Sequence, residues 1–167
     1  RVMNTNNINS FNRVSVDDGI EGGQSLTAGI DYRLKNKSGE DKISLNLAQV
    51  YRDKENPDLP KNSSLNNKYS DIIGSIKFNV FDNLNFDYDF IADNNFNKIN
   101  YNSLNANISV NNFVTSFQYL EERGDIGTKN YIKNQTKYSF DQNNSISFST
   151  RENRELDMTE FYNLVYQ

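Results

Sequence analysis

Residues 70–93 read SDIIGSIKFNVFDNLNFDYDFIAD, and no other stretch constrains the fold as tightly. In the first half Ile72, Gly74, Ile76, Phe78 and Val80 share one face, with Ile73, Ser75, Lys77 and Asn79 on the other. In the second half Leu84, Phe86, Tyr88, Phe90 and Ala92 alternate with Asn85, Asp87, Asp89 and Asp93. A period of two marks extended chain, because successive side chains point to opposite faces of a strand. Asp82-Asn83 between the halves is turn chemistry, since both side chains tolerate left-handed backbone and bond their own main chain. The stretch predicts a hairpin with long strands. Ordinary strands run about 5–6 residues, whereas a tilted strand crossing a bilayer needs about 9–11.

The same period recurs along the chain. Residues 1–21 are rich in Asn and Asp without a sustained period and read as a loop or a strand end, and 22–167 as strands. Leu26, Ala28, Ile30, Tyr32 and Leu34 mark one strand, and Ile43, Leu45, Leu47 and Tyr51 the next. Residues 52–69 hold both prolines, Pro57 and Pro60, so they break the pairing. After the hairpin, Leu104, Ala106, Ile108 and Val110 alternate, with Ile99 and Tyr101 in the opposite phase, which predicts a bulge near Asn102. Phe113, Thr115, Phe117 and Tyr119 follow, then Ile132, Thr136, Tyr138 and Phe140, then Ile146, Phe148 and Thr150, and last Tyr162, Leu164 and Tyr166. The expected fold is all-β: an antiparallel meander of about nine long strands.

Composition then selects what such a meander serves. Mean hydropathy is −0.81 and apolar residues make up 35%, values that suit disorder, yet there are 10 Tyr and 11 Phe. Disordered chains are poor in aromatics, so the low hydropathy needs another source. Strands with one apolar and one polar face supply it. The net charge is −4 with scattered charges, so no basic patch points to nucleic acid. With 0 Cys and 0 His, thiolate and imidazole metal sites are excluded within the chain, and no metal or cofactor is expected.

The connections carry a second pattern. Turns at 36–41, 82–83, 111–112 and 141–144 are short, whereas 52–69, 94–98, 121–130 and 151–157 read as longer loops. Short turns on one rim and long loops on the other are the asymmetry of outer-membrane barrels. The expected setting is therefore the cell outer membrane, with the sheet part of a transmembrane β-barrel and the long loops extracellular. Its polar face then lines a wet lumen, with Asp31, Arg33, Lys77, Asp87, Asp89, Lys133, Lys137 and Arg151 as candidate lumen-facing residues. Their mixed signs suit an interior without strong ion selectivity. A soluble sheet with one buried face alternates equally well. A generic porin-type barrel, marked by a loop folded into the pore, and a secreted soluble β-sheet binding protein are the two alternatives.

Catalytic readings are weak. Asp87 and Asp89 sit about 7 Å apart by strand rise, near the spacing of inverting glycosidases. Such pairs, like Asp17-Asp18 and Glu121-Glu122, arise by chance on polar faces. The triplet Asn62-Ser63-Ser64 carries no weight in a bacterial setting, and DNNFN (93–97) lacks the closing Glu of a calcium loop. The chain is not expected to be an enzyme.

Residues 12–34, 47–80 and 83–93, taken in order, resemble the lipopolysaccharide-assembly outer-membrane protein family LptD, also called OstA or Imp. The segment 12–34 (NRVSVDDGIEGGQSLTAGIDYRL) is similar to the family's Asp-Asp-Gly segment, through Asp17 and Gly19. Residues 47–80 resemble the next one, with Gln49, Tyr51, Arg52, Pro60, Ser64-Leu65 and Ser70-Asp71-Ile72-Ile73-Gly74 in matching places. Residues 83–93 (NLNFDYDFIAD) resemble the strand that follows. Ala48 departs from the family's Gly, Ile20-Glu21 replace Thr-Arg, and the family's late Cys has no counterpart. The resemblance implies the C-terminal segment of a large transmembrane β-barrel that inserts lipopolysaccharide into the outer leaflet. It also implies outer-membrane lipids, lipopolysaccharide and an LptE-like plug lipoprotein as partners, and a periplasmic N-terminal domain outside these residues.

Overall fold

The computed structural model describes residues 3–10, 13, 21–59, 61, 64–124 and 127–167. Asp17, Asp18, Gly19, Pro60, Asn62 and Ser63 lie outside the described residues. Nine strands form: Ser25–Lys35 (β1), Asp41–Arg52 (β2), Ile72–Phe81 (β3), Leu84–Ala92 (β4), Ile99–Val110 (β5), Phe113–Gly124 (β6), Gly127–Ser139 (β7), Ser145–Asn153 (β8) and Met158–Tyr166 (β9). Each pairs antiparallel with its sequence neighbour in one sheet of order β1 to β9, so the expected meander is what the chain forms. No helix among the described residues is long and apolar enough to cross a membrane, which leaves strand crossing open.

Register carries the alternation across the whole sheet. One rung runs Tyr32, Leu45, Ile76, Tyr88, Leu104, Tyr119 and Ile132. The neighbouring rung runs Arg33, Ser44, Lys77, Asp87, Asn105, Gln118, Lys133 and Arg151. Residues directly opposite in a ladder share a face, so the period of two in each strand becomes two chemically distinct surfaces. An irregularity before the 82–83 turn puts Phe81, rather than Val80, opposite Leu84 on the apolar face.

Two loop expectations are corrected. Residues 121–130 are not a long loop: β6 and β7 stay paired out to Gly124 opposite Gly127. One cross-strand charge pair supports this extension, with Lys129 Nζ of β7 3.5 Å from Glu122 of β6, while Arg123 Nη2 pairs along β6 with Glu121 at 2.7 Å. In the same way β8 runs through Arg151 to Asn153, where Arg151 meets Glu160 of β9 at 2.8 Å. Polarity at these positions marks the ends of paired strands rather than loops. The rim asymmetry therefore rests mainly on residues 53–71. The predicted bulge is present but sits at Asn100, where Tyr101 pairs with Ile91 and Ile99 with Ala92.

The buried core does not lie on the apolar face. Met3, Ile8, Ala48, Val50, Leu59, Leu65, Ile73 and Ile91 form one cluster, with Tyr101 packed against it. Its strand members share the polar face, since Ala48, Ile73, Ile91 and Tyr101 occupy one rung. The apolar face is instead uncovered: Ile30 is 64% exposed, Phe117 38% and Leu164 68%.

Candidate functional site

All eight candidate residues of the polar face lie on that one face. Arg33, Lys77, Asp87, Lys133 and Arg151 occupy a single rung, and Asp31 and Asp89 occupy the next. Lys137 lies farther along β7, opposite Val114 and Ser147. Neighbouring charges offset one another. Arg33 donates to both carboxylate oxygens of Asp31 at 2.9 Å. Lys77 stands opposite Asp87. Arg151 pairs with Glu160 and lies 4.2 Å above the Tyr131 ring. A shallow depression of about 350 Å³ opens among Asp87, Asn105, Asn107, Ser116, Gln118 and Lys133. Amides, hydroxyls and charges of both signs give a surface that hydrogen-bonds polar solutes without selecting one ionic sign.

Among the described residues the carboxylate pairs do not converge on a reacting centre. Asp87 faces Lys77 and Asn105, while Asp89 faces the Ser75 and Ser103 rung. Glu121 and Glu122 point to opposite faces. Asp93 uses its Oδ1 to accept from the backbone N–H groups of Asn97 at 2.6 Å and Lys98 at 3.2 Å, which organises a tight turn.

The motif residues among the described positions have a structural role that the sequence did not disclose. Gln49 donates to the Ser70 carbonyl at 2.9 Å, and the Val50 N–H donates to Ser70 Oγ at 2.9 Å. Ser70 Oγ donates onward to the Asp71 carbonyl at 2.8 Å. The Tyr51 and Tyr69 rings meet at 5.3 Å. Together these groups zip the base of the 53–71 connection. Asp71 is 3% exposed and accepts from Asn100, the bulge residue, at 3.2 Å. Burial pushes its carboxyl above the usual range, Ser64 and Asn100 oppose that, and the Asp93 charge adds to it. Gly74 lies under Phe90, whose ring would overlap any added Cβ.

Sequence reasoning also missed what closes the loop-side rim. Glu21 is held by two guanidinium groups, at 2.8 Å from Arg13 Nη2 and 2.6 Å from Arg52 Nη1. All three side chains are nearly inaccessible. Burial alone would raise the Glu21 pKa, but the hydrogen bonds and charge of Arg13, with Arg52, outweigh it and hold the carboxyl below its ordinary value. The available signal was apolar: Val50, Ile73 and Ile91 gather at the loop-side end of the polar face, and such a patch needs a cover.

With this geometry in place, the comparison with known families is decisive. Residues 3–154 match the family model described as LptD, LPS transport system D. The chain belongs to the LptD family. No curated protein matches it. LptD-family proteins are transport proteins of lipopolysaccharide assembly associated with the outer membrane, so the chain has a role in lipopolysaccharide transport. The match spans β1 to β8, including the stretches on which the resemblance was read.

Proposed function

We propose that this chain is a segment of the outer-membrane barrel that inserts lipopolysaccharide into the outer leaflet. The observation that carries the reading is the pair of unlike faces on strands of nine to thirteen residues. That length suits a tilted crossing of hydrocarbon. On this reading the uncovered apolar face meets lipid, and the polar face lines a wet path. The saccharide part of the cargo travels along the amides and charges of β4 to β8, while its acyl chains leave for the bilayer through a lateral seam. No bond is made or broken; the work is that of keeping sugar in water and acyl chain in hydrocarbon. An LptE-like plug lipoprotein is the expected partner. The 53–71 connection sends Leu59 and Leu65 into the polar-face cluster, the sign that also fits a generic porin. Family membership favours the transport reading, and co-purification with a small lipoprotein separates the two.

A photo-crosslinking residue at Asn105 or Gln118 tests this directly in growing cells. Lipopolysaccharide adducts are expected there and not at Phe86 or Phe117 on the opposite face. Absence of such adducts at every polar-face position would overturn the reading.

A further inference from the structure

We propose that Arg13, Glu21 and Arg52 form a clasp that locks residues 3–10 and the 53–71 connection into one body closing the loop-side end of the polar face. Arg52 joins three parts at once. It ends β2, its N–H donates to the Lys68 carbonyl at 2.7 Å, and its guanidinium reaches Glu21 and the Gly22 carbonyl. Arg13 joins the others, donating to Ile8 O at 3.3 Å, Ser25 Oγ at 2.8 Å and Thr27 Oγ1 at 2.9 Å. Glu21 is the shared acceptor between them.

Both segments also share one apolar seat. Met3 and Ile8 come from the first, Leu59 and Leu65 from the second, and all four join Val50, Ile73 and Ile91. Beneath residues 3–6 an open cavity of about 330 Å³ reaches Ser75, Lys77 and Asp89 of the polar face. Ser75 is 7% exposed there. A buried carboxylate shared by two arginines is costly to break on either side, because each partner leaves an uncompensated charge. Neither segment can therefore lift without releasing the other. The clasp rests on geometry alone; only its description as closing a transport path rests on the function proposed above.

The test uses the full-length protein that contains these residues, purified in detergent, which removes any dependence on membrane orientation. Single cysteines at Ser75 (Ser75→Cys, under residues 3–6) and at Leu65 (Leu65→Cys, in the 53–71 connection) report by their maleimide labelling rates. A third, Asn107→Cys at the far rim, is the control. Labelling through local opening follows the open population, and losing a buried charged partner shifts that population by about a hundredfold to a few thousandfold. Glu21→Gln is expected to speed labelling at both Ser75→Cys and Leu65→Cys by a common factor and to leave Asn107→Cys unchanged. Acceleration at one reporter alone, or at neither, overturns the proposal. Should Glu21→Gln fail to assemble, Ile8→Ala loosens the first segment without touching an ion. A joint rise at both reporters then supports the clasp, and a rise at Ser75→Cys alone contradicts it.

Discussion

Arg52 is 2% exposed, and a full positive charge at that depth is tolerable only because Glu21 and the Gly22 carbonyl accept from it. Removing the carboxylate leaves that charge uncompensated, so Glu21→Gln should destabilise the rim by about 3–5 kcal/mol. The sign of the pH dependence follows. The folded pKa of Glu21 lies below its ordinary value of 4.5, so its contribution is complete above 4.5 and is lost as pH falls through the folded value. Asp71 works the other way. Its raised pKa makes the folded state most favoured below the ordinary 3.8, with that advantage lost as pH rises through the folded value. Thermal melts against pH should therefore show Glu21→Gln with a flattened acid limb and Asp71→Asn melting higher than the parent at neutral pH. Gly74 makes a third test. Gly74→Ala must displace the Phe90 ring and should cost about 1–3 kcal/mol in an unfolding titration. Of these residues the sequence marked Arg52 and Asp71 only by family pattern, and Gly74 by that pattern and by its place in the alternating row. Glu21 stood out as a departure from it, and its two arginine partners lie 8 and 31 positions away, beyond any local period.

At the scale of the element, the hairpin of β3 and β4 shows what period alone delivers. Its pairing of Ile76 with Tyr88 and of Lys77 with Asp87 follows from a turn at 82–83 and two alternating halves. Position along a strand was harder to read. Glu121, Glu122 and Arg123 have the polarity of loop residues, yet they pair with one another and with β7. The apolar face also carries polar groups that satisfy each other: Thr115 and Thr136 hydroxyls at 2.8 Å, with Asn134 donating to Thr115 at 3.2 Å. Such mutual satisfaction is what a hydrocarbon-facing strand requires. Arginine at Ile76, Phe78 or Phe86 should cost about 2–4 kcal/mol near the bilayer midplane, against little at Asn85 or Asn107. Ser75, although on the polar face, is excluded from the tolerant set because residues 3–6 cover it. Folding titrations into lipid vesicles check the contrast, and equal cost on both faces would contradict it.

For the whole molecule, the order β1 to β9 leaves β1 and β9 each with one strand partner among the described residues. Leu26, Ile30, Tyr162, Leu164 and Tyr166 near these edges are among the most exposed apolar side chains. An unpaired edge is a template for further pairing in water and leaves backbone groups unsatisfied in lipid. Residues 1–167 produced alone should therefore associate edge to edge even in detergent; a monodisperse monomer melting cooperatively in plain buffer would favour a soluble sheet. The meander itself was legible from the period of two. The small core on the polar face was not, because it is assembled from distant segments around three out-of-phase residues. In a membrane-spanning sheet the two faces meet different solvents. Spin labels at Ala106 and Phe117, and at Asn107 and Gln118, measure that in the bilayer-embedded protein. The first pair should relax faster with oxygen, which concentrates in lipid, and the second with a water-soluble nickel chelate. Equal access of the chelate to both pairs would contradict the assignment of one face to lipid and the other to water.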